Sequence, residues 1–132
     1  MDPRIEKFLE SPAFGVAGAS TDRNKYGNKV LRCYLQNDRK VVPVNPKADE
    51  IEGITCVDSV KSLPAEVKSL SIVTPPQITE KVVEEAVEKG MENVWMQPGS
   101  QSDEAVRLCR DNDINVIADG SCILVVLGYE DH

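Results

Sequence analysis

Apolar residues fall along this chain in two rhythms: short, largely unbroken runs, and stretches spaced for one face of a helix. Phe14–Ala17, Val41–Val44, Leu70–Val73, Asn93–Met96 and Ile114–Ala118 are the short runs, the pattern of parallel strands buried on both faces. Between them, Gly27–Gln36 places Val30, Leu31, Tyr34 and Leu35 on one helical face, and Thr79–Lys89 places Val82, Val83, Ala86 and Val87 likewise. Gly90 suits the C-terminal cap of that second helix. Asp2-Pro3 predicts a capped helix to about Ser11, and Ser100-x-x-Asp103 predicts the start of another, running through about Asn112. Thr55–Val57 reads as a short strand, Val60–Leu63 as one helical turn and Ile123–Leu127 as a short tail. The alternation of strand and helix predicts an α/β fold, a doubly wound, mainly parallel sheet of about five strands with helices on both faces.

The chemistry sits where strands end. Phe14-Gly-Val-Ala-Gly-Ala-Ser-Thr21 is a strand running into a turn of small residues and then a helix. Such a turn lets backbone N–H groups approach a phosphate, and the helix N-terminus adds partial positive charge. A side chain at Gly18 is expected to block that approach and leave the fold intact. The spacing is not that of a dinucleotide fingerprint, because Ser20 follows Gly18 where a glycine is wanted and the next glycine is Gly27. The second strand leaves through Asn45-Pro46-Lys47 in place of an acid for a ribose hydroxyl. A cation there suits a ribose phosphate, as in NADP or the 3′-phosphate of coenzyme A. Pro46, Pro75-Pro76 and Pro98-Gly99 each follow a strand, and together they predict an apolar slot along one rim. Trp95 reads as core, and Asp119 is the one carboxylate expected near that rim.

Net charge is −7 over 132 residues, which disfavours nucleic-acid binding. Yet Thr21 to Lys47 holds seven cations (Arg23, Lys25, Lys29, Arg32, Arg39, Lys40, Lys47) against Asp22 and Asp38, so that segment carries +5 and the remainder −12. Arg23, Lys25 and Lys47 are assigned to phosphate; Lys29, Arg32, Arg39 and Lys40 read as a solvated face. The length predicts one domain. No apolar run approaches the ~18 residues of a membrane span, and the absence of a signal-type segment predicts a cytoplasmic protein with no membrane partner. The four cysteines form no C-x-x-C pair; Cys33 and Cys109 fall on apolar helix faces as buried thiols. The single histidine, His132, is terminal and expected to form no site. No metal site and no catalytic constellation is predicted.

Gly18-Ala-Ser20, Pro43-Val-Asn-Pro-Lys47, Ile51-x-Gly53, Thr74-Pro-Pro76, Val94-Trp95-x-Gln97-x-Gly99 and Val116-Ile-Ala-Asp119-x-x-Cys122 occur in an order that resembles the small, single-domain CoA-binding proteins. The chain is also similar to the CoA-binding N-terminal domain of the succinyl-CoA synthetase α subunit, from about Phe14 to Cys122. The resemblance implies a Rossmann-like fold and coenzyme A or an acyl-CoA as ligand. Gly18, Ala19 and Ser20 would then meet the pyrophosphate, helped by Lys25 and the helix start at Tyr26-Gly27. Asn45, Pro46 and Lys47 would border the adenosine and its 3′-phosphate, Thr74, Pro75 and Pro76 the far wall, and Gln97 and Gly99 the pantetheine arm. The expected function is non-catalytic binding of a small nucleotide ligand. An NADP-binding enzyme or sensor, or an interaction protein with a vestigial pocket, is the alternative.

Overall fold

Residue alternation along the first strand builds two cores, one on each side of a sheet. In the computed structural model, which describes residues 1–131, β1 (Ala13–Ala17) turns Phe14 and Val16 to one face and Ala13 and Ala17 to the other. It pairs in parallel with β2 (Val41–Val44) and β5 (Val67–Ile72); β6 (Asn93–Met96) and β7 (Asn115–Ile117) extend the sheet in the order β2-β1-β5-β6-β7. Helices α1 (Pro3–Leu9), α2 (Tyr26–Gln36) and α5 (Ile123–Leu127) cover one face, with Phe8, Phe14, Tyr34 and Trp95 beneath them. Helices α3 (Pro76–Lys89) and α4 (Asp103–Asp111) cover the other, over Ala13, Leu70, Ile72 and Met96. The predicted doubly wound α/β architecture is thus present, and chain order reverses between β1 and β5. Phe8 stands edge-on to Trp95 at 5.3 Å, and Phe14 stacks on Tyr34 at 4.9 Å. Burying each such ring contributes about 1.5–3 kcal/mol.

A polar file crosses this otherwise apolar α1/α2 face. The hydroxyls of Tyr34 and Ser71 pair at 2.6 Å, Ser69 Oγ donates to the Phe8 carbonyl, and Asn93 Nδ2 donates to Ser69 Oγ. Asn115 Nδ2 then donates to both Asn93 Oδ1 and the Arg4 carbonyl, which fixes α1 across β5, β6 and β7.

Element ends differ from the sequence reading where local chemistry competes. Ser102, not Ser100, caps α4: its Oγ accepts from Ala105 N and donates to Glu80, while Ser100 Oγ accepts from Thr74 N at the end of β5. Helix α3 starts at Pro76, three residues before Thr79, because proline is preset for the first helical turn. The expected strand at Thr55–Val57 is a two-residue hairpin, β3 (Glu50–Ile51) and β4 (Ile54–Thr55), and Val57 bridges Val44 alone. Its turn holds Glu52 and Gly53 at φ +51° and +81°, a chemistry that favours tight hairpins. The predicted tail at Ile123–Leu127 is helical, and His132 lies outside the described residues.

Candidate functional site

The turn after β1 is built from backbone packed against backbone. Gly18 sits at φ +90°, and a Cβ there would lie 2.0 Å from the Val73 carbonyl oxygen at the end of β5. A Cβ on Gly27 would lie 2.0 Å from the Gly18 carbonyl oxygen, so only glycine lets the first turn of α2 close onto the loop. The expectation that Gly18 could carry a side chain without harm to the fold is therefore corrected. Beyond Gly18, Ser20 Oγ accepts from Asp22 N at 3.0 Å and Asp22 Oδ1 from Asn24 N at 2.9 Å, which shapes the loop into α2. Helix α2 begins with no side-chain cap and no acid in its first turn. Its leading N–H groups and its dipole are left to the hollow that Gly18, Ala19, Ser20, Lys25, Tyr26 and Gly27 line.

Asn45 joins this turn to the next. Its Nδ2 donates to the Ala19 carbonyl at 3.0 Å, and its Oδ1 accepts from Lys47 N at 2.7 Å and Ala48 N at 3.1 Å. The amide is thus taken up in holding two loops together. Gly18, Ala19, Asn45, Pro46, Lys47 and Thr74 line an adjoining cavity of about 460 Å³. Lys47 and Lys25 form no ion pair among the described residues, whereas Lys29, Arg32, Arg39 and Lys40 are held. Lys40 pairs with Glu66 at 2.6 Å and Lys29 with Asp131 at 3.3 Å. Arg39 donates to the Leu9 carbonyl and lies over the Phe14 ring, and Arg32 is 5% exposed. The reading of Arg32 and Arg39 as solvated surface is corrected accordingly. Lys25 is exposed and lines the loop hollow.

Sequence reasoning missed the far wall of the cavity. Ile78, Lys81 and Val82 form it on α3, with Asp58, Ser59 and Val60 from the segment after β4. Helical spacing gave the one available signal, since Ile78, Lys81, Val82 and Glu85 share a side of α3. Pro75 and Pro76 are exposed at the start of that helix and line neither hollow; only Thr74 of that triplet does. Arg23 also lies outside both, with its Nε 3.9 Å from Glu52. Gly99 stands apart in a turn, its N–H donating to Gln101 Oε1.

Gln97 is fully buried beside the loop hollow. Its Oε1 accepts from Ile123 N at 2.9 Å and from the Tyr26 hydroxyl at 3.3 Å, while Nε2 has no partner among the described residues. The same hydroxyl lies 2.6 Å from Cys122 Sγ. Burial, with Cys122 beside it, pushes the Tyr26 phenol up, so it stays neutral at physiological pH. Trp95, fully buried, donates from Nε1 to the Ser121 carbonyl. Asp119 is bound by Ser121 N and Arg4, which hold its carboxyl below the usual carboxylate range. Burial raises the thiols of Cys33 and Cys109 to about 11 and about 12, as inert core groups require.

A family model of the CoA binding domain matches residues 13–128, and the chain belongs to that family. The α subunit of an ADP-forming acetate–CoA ligase II from Pyrococcus furiosus is 33% identical over 91 residues, 68% of this chain and 20% of the ligase subunit. The chain spans 12–20% of the length of the acetate–CoA ligases it matches. Among solved structures, a conserved hypothetical protein from Pyrococcus furiosus superposes with a TM-score of 0.83 at 39% identity, over 86% of this chain and 97% of the other. An uncharacterized protein of Bacillus subtilis, YneT, is 26% identical over 92% of this chain and 90% of its own length. No helix of the described residues is long and apolar enough to cross a membrane.

Proposed function

We propose that this protein binds coenzyme A or an acyl-CoA reversibly and performs no chemistry on it. The observation that carries the reading is the pairing of an uncapped, acid-free start of α2 with an unpaired Lys47 across adjoining hollows. The pyrophosphate lies against Gly18–Ser20 and Lys25, the adenosine fills the cavity between Pro46 and Ile78, and Lys47 meets the 3′-phosphate. Membership of the CoA-binding domain family supports the ligand class. Support for the non-catalytic part is chemical: of the two carboxylates in the cavity wall, Glu85 is already accepting from Val60 N and Asp58 from the Ser62 hydroxyl.

Thermal melting in the presence of CoA, acetyl-CoA, NAD, NADP and ATP tests the assignment. CoA at about 100 times its Kd adds about 2.7 kcal/mol, which raises the Tm of a domain this size by several degrees. NAD, which offers Lys47 no ribose phosphate, is expected to do far less. An equal shift with NAD refutes the ligand. Release of free thiol from acetyl-CoA faster than in buffer refutes the absence of catalysis.

A further inference from the structure

We infer that Arg32, which lines neither hollow, is the positioning residue of the Ser20–Lys25 loop. Its guanidinium fork, and not its charge, would set affinity for the ligand's phosphates; the affinity part rests on the proposed CoA binding. An arginine only 5% exposed is costly unless its donors are used. Here Nε donates to Asn28 Oδ1 at 2.6 Å, Nη2 to the Arg23 carbonyl at 2.7 Å and Nη1 to Asp131 Oδ1 at 3.4 Å, with the Tyr129 ring 5.5 Å away. Asn28 is itself fully buried and passes the contact on: its Nδ2 donates to the Ser20 carbonyl at 2.9 Å and to Glu52 Oε2 at 3.2 Å. Two loop carbonyls, at Ser20 and Arg23, are thereby drawn onto α2.

The consequence follows from the planar trans peptide, in which C=O and N–H point opposite ways. No cis bond occurs among the described residues. Turning the Ser20 carbonyl onto α2 turns the Thr21 N–H away from it, and turning the Arg23 carbonyl does the same to the Asn24 N–H, which Asp22 then takes. Freed from these anchors, the loop loosens and the Ser20 peptide plane, which borders the hollow, can rotate and present its carbonyl where a phosphate oxygen would lie, replacing attraction by repulsion. A lysine cannot substitute. Its single ammonium lacks the planar fork that reaches Asn28 and the Arg23 carbonyl together. Charge alone is a poor explanation, because Asp131 sits against both Arg32 and Lys29 and offsets their field.

The test compares wild type, Arg32→Met, Arg32→Lys and Lys29→Ala by calorimetric titration with CoA and by amide exchange of Thr21–Lys25 in ligand-free protein. Arg32→Met should weaken CoA binding about ten- to a hundredfold, the loss of a charge-assisted hydrogen bond. Its loop amides should exchange faster while those of β1 and β5 keep their protection. Arg32→Lys should fall nearly as far, and Lys29→Ala by about twofold or less, as for a partly exposed ion pair. Wild-type affinity in Arg32→Lys overturns the proposal, because charge would then suffice; so does unchanged loop exchange in either Arg32 variant. Should Arg32→Met not fold, Arg32→Lys decides by the same two readouts. If wild type itself fails to bind CoA, the proposed function falls and takes the affinity claim with it, while ligand-free exchange still decides whether Arg32 anchors the loop.

Discussion

Gly18→Val is expected to lose about 2–6 kcal/mol of folding stability, not merely its ligand. A β-branched residue held at φ +90° costs on the order of 1–3 kcal/mol in backbone strain. The Cβ, 2.0 Å from the Val73 carbonyl oxygen, must also push two strand ends apart, and overpacking of this kind costs about 1–3 kcal/mol. Neither neighbour can yield easily. Val73 N donates to the Ala17 carbonyl at 2.8 Å, and Gly27 closes on Gly18 from the other side. Urea unfolding should show the midpoint collapse with little change in slope. A variant with a wild-type midpoint and only lost CoA binding would mean that the loop is free to move off β5. Gly99→Ala is the control: its φ is +92°, but a Cβ there meets open space, so only the strain remains.

Lys47→Ala should weaken CoA binding by about 1.5–3 kcal/mol, the worth of a charge-assisted hydrogen bond to phosphate. Dephospho-CoA, which lacks the 3′-phosphate, should lose far less. Lys40→Ala provides the contrast, since Lys40 lies in the same basic segment but pairs with Glu66 at 2.6 Å and lines no hollow. It should affect both ligands little. Titrating two ligands against two variants makes a double cycle that separates contact from general potential. Equal losses for CoA and dephospho-CoA at Lys47 would place the adenosine end elsewhere.

The sheet was legible because its strands are short, nearly continuous apolar runs, a pattern that buried parallel strands share and amphipathic helices do not. The first turn was legible as a tight strand-to-helix connection, because small residues there let backbone close on backbone. Hydrogen-bond competition was not legible. Ser100 and Ser102 both precede α4, and only the geometry shows that Ser100 serves Thr74 N and leaves the cap to Ser102. Arg32 looked like solvent-facing charge because its helix spacing is neutral between surface and loop. Asn28 lies one turn away on the same helix, but the second acceptor, the Arg23 carbonyl, becomes a neighbour only once α2 closes over the turn. The α3 wall escaped for the opposite reason. Pro75 and Pro76 drew attention as punctuation, while Ile78 and Lys81 resemble any helix face until α3 packs against the Val60–Ser62 turn.

The polar file beneath α1 acts as a checksum on the assembled sheet. An apolar face alone tolerates strands that slide or trade places, since one valine replaces another at little cost. Ser69, Asn93 and Asn115 remove that tolerance, because each is satisfied only when β5, β6 and β7 stand side by side in the observed register. A one-residue slip turns side chains to the opposite face and leaves buried amides and hydroxyls unpaired. The last two acceptors, the carbonyls of Phe8 and Arg4, come from α1, so the N-terminal helix can complete the file only after three distant strands have found one another.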